Sequence, residues 1–146
     1  MVGLIALVVV LAVASVAGTV LRRRQGRFRA AGPPAPAADA LTAGELGAPL
    51  GLQATLVQFS TQVCAYCGPT RELLTEVAGE RDGVEFIEVD AAERMDLTRR
   101  LHVLATPTVL VLDAAGAIAS RASGPVRRAD LDAAMGQVLI AGGGMP

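Results

Sequence analysis

Cys64 and Cys67 are the only cysteines in the chain, and they close the run Phe59-Ser60-Thr61-Gln62-Val63-Cys64-Ala65-Tyr66-Cys67. Two intervening residues let one turn of helix hold both sulfurs within bonding range, so a disulfide there can open and close with little backbone movement. The chemistry this spacing points to is thiol–disulfide exchange, in which a thiolate attacks a disulfide sulfur. If the first cysteine lies at a helix N-terminus, unpaired backbone N–H groups and the helix dipole lower its pKa from about 8.5 toward about 7, which makes it a working nucleophile near neutral pH. A second feature, Thr106-Pro107-Thr108, heads an apolar run further along. Two cysteines and the single His102, which follows Arg99-Arg100-Leu101 near an expected helix end and reads as a solvated residue, fall short of the four ligands of a structural zinc site. The sulfur pair is itself the redox centre, so no metal and no bound cofactor is expected.

The elements that must position these residues follow from periodicity. The β-rich stretch 54–60 predicts a strand leading directly into the cysteines. Over 67–79, Leu73, Leu74, Val77 and Ala78 recur at helical spacing while Glu72, Glu76 and Glu80 line a solvated face. Gly68-Pro69 follows the second cysteine, and proline is tolerated only in a first helical turn, so this helix either begins near Cys67 or bends there. Alternation predicts a strand over 84–89, then a helix over 91–101 and an apolar, β-branched strand over 108–112. Residues 113–116 form a turn into a short strand over 117–120, and 127–140 close the chain as a helix. A right-handed βαβ unit followed by a hairpin and a last helix gives a mixed sheet covered on both faces.

Strand, C-x-x-C opening a helix, crossover, x-Pro entering the next strand, a hairpin turn with Gly116, and Gly124 before the last helix together make residues 50–141 resemble the thioredoxin-like superfamily. The fold class this implies is α/β, a thioredoxin-like mixed central sheet with helices on both faces. By this resemblance Pro107 is cis and Thr106 presents its backbone to an extended substrate strand beside the sulfurs. Cys64 would attack a substrate disulfide and Cys67 would resolve the mixed disulfide. The partners implied are protein disulfide substrates and an electron-donor reductase. Ordinary thioredoxins carry Trp-Cys-Gly-Pro-Cys, whereas this chain has Val63-Cys64-Ala65-Tyr66-Cys67 and no Trp. The Cys-x-Tyr-Cys form resembles glutaredoxins and bacterial disulfide isomerases, which leaves isomerase-like or glutaredoxin-like exchange open as an alternative to reduction. A membrane-held binding module without turnover is the alternative of another class. Tyr66 either covers the sulfurs or supports the chemistry. Gln58 stands where thioredoxins keep a buried aspartate that helps deprotonate the second cysteine, and an amide cannot take that proton.

Residues 2–21 carry no charge and are long enough to span a hydrocarbon core of about 30 Å. Small residues in their second half (Ala12, Ala14, Ser15, Ala17, Gly18) are also compatible with the end of a secretory signal. No basic residue precedes the run and Arg22, Arg23, Arg24, Arg27 and Arg29 follow it, which favours an uncleaved single-pass anchor in the cell membrane. The positive-inside bias then places the folded domain on the cytoplasmic side, with the extracytoplasmic side as the alternative. The domain organisation expected is therefore a transmembrane anchor at 1–21, a basic juxtamembrane segment with a Pro/Ala-rich tether over 22–49, and a thioredoxin-like domain over 50–146. Taken together, these readings describe a membrane-anchored thioredoxin-family protein of bacterial type. Thr42 three residues before Glu45 suggests a capped short helix within the second segment. Residues 50–146 hold eight arginines against twelve acids, so nothing in the folded part suggests a nucleic-acid partner.

Overall fold

The stretch ahead of the cysteines has every side chain buried because it lies in the middle of a sheet covered on both faces. In the computed structural model, which describes residues 1–24, 26–30 and 40–142, the elements in chain order are α1 (Val2–Arg24), β1 (Arg29–Ala30), α2 (Ala43–Leu46), β2 (Ala54–Ser60), α3 (Cys67–Gly79), β3 (Val84–Asp90), α4 (Met95–Arg100), β4 (Thr108–Asp113), β5 (Ile118–Ser123) and α5 (Arg128–Gly142). The strands form one mixed sheet in the order β1-β5-β4-β2-β3. β2 runs parallel to β3 and antiparallel to β4, with Phe59 opposite Val89 on one side and Thr108 on the other.

Successive side chains of a strand point to opposite faces, and both faces here are apolar. Val57, Phe59, Leu110 and Leu112 pack under Leu41, Leu46, Leu97 and Leu101 on one face. Leu56, Val109 and Val111 pack under Leu74 and Val77 of α3 and Leu131 and Met135 of α5 on the other. This is the thioredoxin-like architecture expected from the order of elements.

Two elements differ in extent from their periodicity. The helix expected over 91–101 shrinks to α4 because Asp90 Oδ1 accepts the N–H groups of Ala92 (2.8 Å) and Glu93 (3.3 Å), holding these residues as a turn. At its other end the N–H groups of His102 and Val103 donate to Arg99 O and Thr98 O, with His102 left-handed at φ 50°. That pattern is a Schellman stop with histidine in the place glycine usually takes, and the Arg121 guanidinium caps it by donating to Leu101 O and His102 O. The strand expected over 117–120 extends to Ser123 because β5 pairs with β4 as far as Thr108.

The core also draws on residues ahead of position 50, where composition put the start of the folded domain. Leu41 is buried and its N–H donates to Gly116 O at 2.9 Å. Gly116 has φ +82°, and a Cβ there would lie 2.1 Å from Leu41 O, so the hairpin turn and this segment close on each other only with glycine. The capping box is formed in both directions: Glu45 N–H donates to Thr42 Oγ1 (3.3 Å) and Thr42 N–H to Glu45 Oε2 (2.9 Å). Further upstream, β1 adds to the outer edge of β5, Arg29 opposite Arg121 and Ala30 opposite Ser120, and Phe28 packs on the α5 side of the core. A two-residue strand leaves no period to read, so this docking had no sequence signal. The Pro/Ala-rich tether falls mostly on residues 31–39, outside those described.

Within α1, Gly3–Leu21 is an apolar stretch of 19 residues, a length and composition shared by membrane anchors and signal sequences.

The Glu45 carboxyl also accepts from Arg100 Nη1 at 2.5 Å, and that bond, with the Thr42 amide, holds its pKa down from 4.5 to about 2. A carboxyl that titrates lower in the folded than in the unfolded state stabilises above pH 4.5 and loses that contribution as pH falls toward about 2. Glu45→Gln keeps the capping geometry and removes the charge. Urea unfolding of the full chain in detergent is expected to show a loss of under about 1 kcal/mol at pH 7, as for other exposed pairs. The difference should close between pH 4.5 and 2, and a gap independent of pH would rule out the ion pair as its source.

Candidate functional site

β2 ends at Ser60, and the chain turns twice before α3 begins. Cys64 N–H donates to Thr61 O (3.2 Å) and Cys67 N–H to Cys64 O (3.4 Å), which places the two cysteines on successive turns with Cα atoms 5.5 Å apart and their sulfurs joined in a disulfide. Cys67 is the first residue of α3, which settles where the helix starts: Pro69 falls in the first turn and no bend is needed. Cys64 therefore lies outside the helix. Of the first-turn donors, Cys67 N–H and Thr70 N–H are engaged by Cys64 O and Tyr66 O and Pro69 has none, so the helix terminus offers Cys64 less than the motif alone suggests. Cys64 is half-buried, whereas Cys67 is only 3% exposed.

Beneath the pair lies Gln58, fully buried on β2. Its Nε2 donates to Cys67 O at 2.9 Å, tying the central strand to the first residue of α3. Its Oε1 is buried with no hydrogen-bond partner among the described residues. An unpartnered buried carbonyl costs about 1–3 kcal/mol, so this position is held against its own desolvation.

The Thr106-Pro107 peptide is cis, as the resemblance implied, and Pro107 is buried. Two contacts hold this loop against the cysteine turn. The Thr106 and Thr61 hydroxyls lie 3.2 Å apart, and Thr61 is the residue whose carbonyl accepts from Cys64 N–H. On the other side, Gly124 N–H donates to Pro107 O at 2.8 Å. The structure thus gathers Cys64, Cys67, Gln58, Thr106 and Pro107 at one end of the sheet. Tyr66 sits between the cysteines as the N-cap of α3, with no side-chain capping bond and 60% exposed. Val63 and Leu104, at 96% and 94%, are also held out to solvent from the same two loops. His102 ends α4 and does not join the site. Among the described residues no group of three or more His, Cys, Asp or Glu could hold a metal ion.

Residues that sequence reasoning passed over do the bracing. Arg71 of α3 donates twice to Glu88 of β3 (2.7 and 2.6 Å), and Ser60 Oγ donates to the same carboxylate at 2.7 Å. The Arg71 guanidinium keeps the Glu88 pKa below its ordinary value, so the brace is charged at neutral pH. Thr61 was the other omission. A hydroxyl three residues ahead of C-x-x-C is the only trace it leaves in the sequence.

The arrangement is suited to thiol–disulfide redox chemistry: a closed dithiol pair, one sulfur reachable and one covered, beside a buried proline loop. The Thioredoxin family model matches residues 50–137. No curated protein matches the chain. Among solved structures, chloroplastic thioredoxin z is similar at 27% identity, covering 60% of this chain and 79% of that one with a TM-score of 0.52. Thioredoxin-2 of the malaria parasite, a component of its protein secretion machinery, aligns at 20% identity over 58% of this chain and 82% of that one, TM-score 0.52. The thioredoxin of Malassezia sympodialis aligns at 21% identity over 62% and 78%, TM-score 0.50. The last two likenesses are of fold alone.

Gln58→Glu keeps the side chain's length while adding a titratable group under Cys67. When protonated, its carboxyl can replace the lost Nε2–H with O–H; when ionised, it cannot and it is an isolated buried charge. Burial raises the pKa of such an acid above its unfolded value, so the variant's deficit is expected to grow as pH rises above about 4.3, reaching about 1–3 kcal/mol. Denaturant titrations of both proteins across pH 4 to 8 measure it, and a deficit that shrinks with pH would show that the side chain is not buried against Cys67.

Proposed function

The chain belongs to the thioredoxin family, and on that premise we propose that it is a membrane-anchored thiol–disulfide oxidoreductase that reduces protein disulfides through Cys64 and Cys67. The observation that carries this reading is the asymmetry of the pair: Cys64 reachable at the turn, Cys67 covered at the start of α3. In the reduced state the Cys64 thiolate attacks one sulfur of a substrate disulfide, forming a mixed disulfide and releasing the other substrate sulfur as a thiolate that takes a proton from water. Cys67 then loses its proton and attacks the Cys64 sulfur, breaking its bond to the substrate, whose second sulfur leaves as a thiolate and is protonated in turn. The pair is left oxidised, the substrate gains two electrons and two protons, and a dithiol-type reductase must restore the pair. Thr106 and Pro107 form the wall on which an extended substrate lies. With an amide at position 58 the Cys67 proton passes to water or to the substrate and not to a neighbouring carboxylate.

Isomerase-like or glutaredoxin-like exchange is the second reading, favoured by Tyr66 in the position where thioredoxins carry proline. Turnover of insulin with a supplied dithiol supports reduction. Exchange of scrambled disulfides without net reduction supports isomerisation, and neither activity leaves a binding module.

The five arginines that follow the apolar span argue for an anchor with the domain on the cytoplasmic side, where the thiol pool keeps the pair reduced.

Two outcomes are expected. Cys67→Ser accumulates mixed disulfides with cellular partners and Cys64→Ser does not, as read on non-reducing gels; equal trapping by both, or trapping only by Cys64→Ser, would reverse the roles. Alkaline phosphatase fused after Pro146 is expected to be inactive, since it folds only when exported, and high activity would place the domain on the outer side.

A further inference from the structure

Residues 26–30, just past the apolar span, are docked on the domain. Gly26 is buried, its N–H donates to Ser123 O at 2.8 Å, and it has φ +75°. A Cβ at this position would lie 1.9 Å from Pro125 O, so the close approach to the loop after β5 admits only glycine. Phe28 and β1 continue the docking along β5. Gly124, the next residue of that loop, is the one whose N–H holds Pro107 O. The exit from the apolar span is thus fastened one residue away from the wall of the disulfide site.

Chain length then bounds the distance to the bilayer. Three helical steps lead from Leu21, the end of the apolar span, to Arg24, and two peptide units separate Arg24 from Gly26. At 1.5 Å per helical residue and at most 3.6 Å per extended one, Gly26 lies within about 12 Å of the end of the span. The rim of the same site carries Val63, Tyr66 and Leu104, three large apolar side chains held out to solvent around the cysteine and proline loops. Exposed apolar groups clustered beside a reactive sulfur mark a contact surface, and this one surrounds the proline loop that Gly124 ties to the docked segment.

We propose that the substrate is a disulfide in an apolar, membrane-proximal segment of a membrane-embedded protein. The proposal rests on the reductase reading and on retention of α1 as an anchor. The chemistry is that already described, with a dithiol as the electron source: two electrons pass from the dithiol through the 64/67 pair to the substrate disulfide, which leaves as two thiols.

The test uses the full chain in phosphatidylcholine vesicles with dithiothreitol as the dithiol. One disulfide-bearing peptide is presented in three ways: joined to phosphatidylethanolamine by a short linker, joined through ten prolines, and free in solution. A polyproline spacer of this length adds about 31 Å. A variant with ten prolines inserted after Arg24 lifts the domain by a similar distance and leaves the 26–30 docking in place. All rates are taken above a Cys64→Ser background. The unmodified chain is expected to reduce the short-linked peptide at least about fivefold faster than the proline-linked one, through its higher effective concentration. In the lifted variant this preference is expected to vanish or reverse, with the free peptide turned over equally by both. Equal rates of the unmodified chain on the two anchored peptides, with the free peptide still reduced, would overturn the membrane-proximal assignment alone. No reduction of any peptide would overturn the reductase reading beneath it.

Discussion

The register of β4 on β2 places every chemical group at this site. β2 runs toward the cysteines and β4 runs away from the proline, so antiparallel pairing with Phe59 opposite Thr108 brings the end of one strand to the start of the other. The disulfide turn and the Thr106-Pro107 loop meet there, though some forty residues of α3, β3 and α4 lie between them in the chain. A slip of one residue would turn Val57 and Phe59 to the face of α3 and α5 and send Gln58 to the other, exchanging the buried sets of both faces at once. The core that fixes the register is therefore also what aligns the site. The same pairing continues outward: Ser123 sits opposite Thr108, and the loop that follows meets both Pro107 and Gly26.

Burial at that junction sets the electrostatics. β2 is paired on both sides and covered on both faces, so a side chain at position 58 sees almost no water, and an ionised carboxylate there carries a large desolvation cost. The amide avoids the charge and gains a bond to Cys67 O, at the expense of an orphaned Oε1. What the site gives up is a local proton acceptor for Cys67. The charged brace of Arg71 and Glu88 stands a strand away and at the edge, where solvent tolerates it, and it fixes α3 without adding charge beneath the sulfurs.

The edge of the sheet carries a different constraint. An outer strand such as β5 presents unpaired backbone groups, and here the segment leaving α1 covers part of that edge. Covering it protects against strand addition and, in the same contact, shortens the path between the apolar span and the disulfide site. The apolar helix and the disulfide site are thus tied to one structural element.

The residue pattern alone pointed to the chemistry and determined most of the elements. C-x-x-C, the x-Pro entry to a β-branched strand and the helical spacing of Leu73, Leu74 and Val77 are local signals, and local signals survive in a linear string. The Thr42/Glu45 cap was legible for the same reason. What the tertiary structure decided were contacts between residues far apart in the chain: Thr61 with Thr106, Ser60 and Arg71 with Glu88, Gln58 with the Cys67 carbonyl, Leu41 with Gly116, and Gly26 with the loop after β5. It also decided that α3 starts at Cys67 and leaves Cys64 outside, because the competing turn bonds depend on where β2 ends. None of these has a period or a composition to announce it. Each follows from a sheet register that buries two apolar faces together, and that energy belongs to the assembled chain and to no single segment of it.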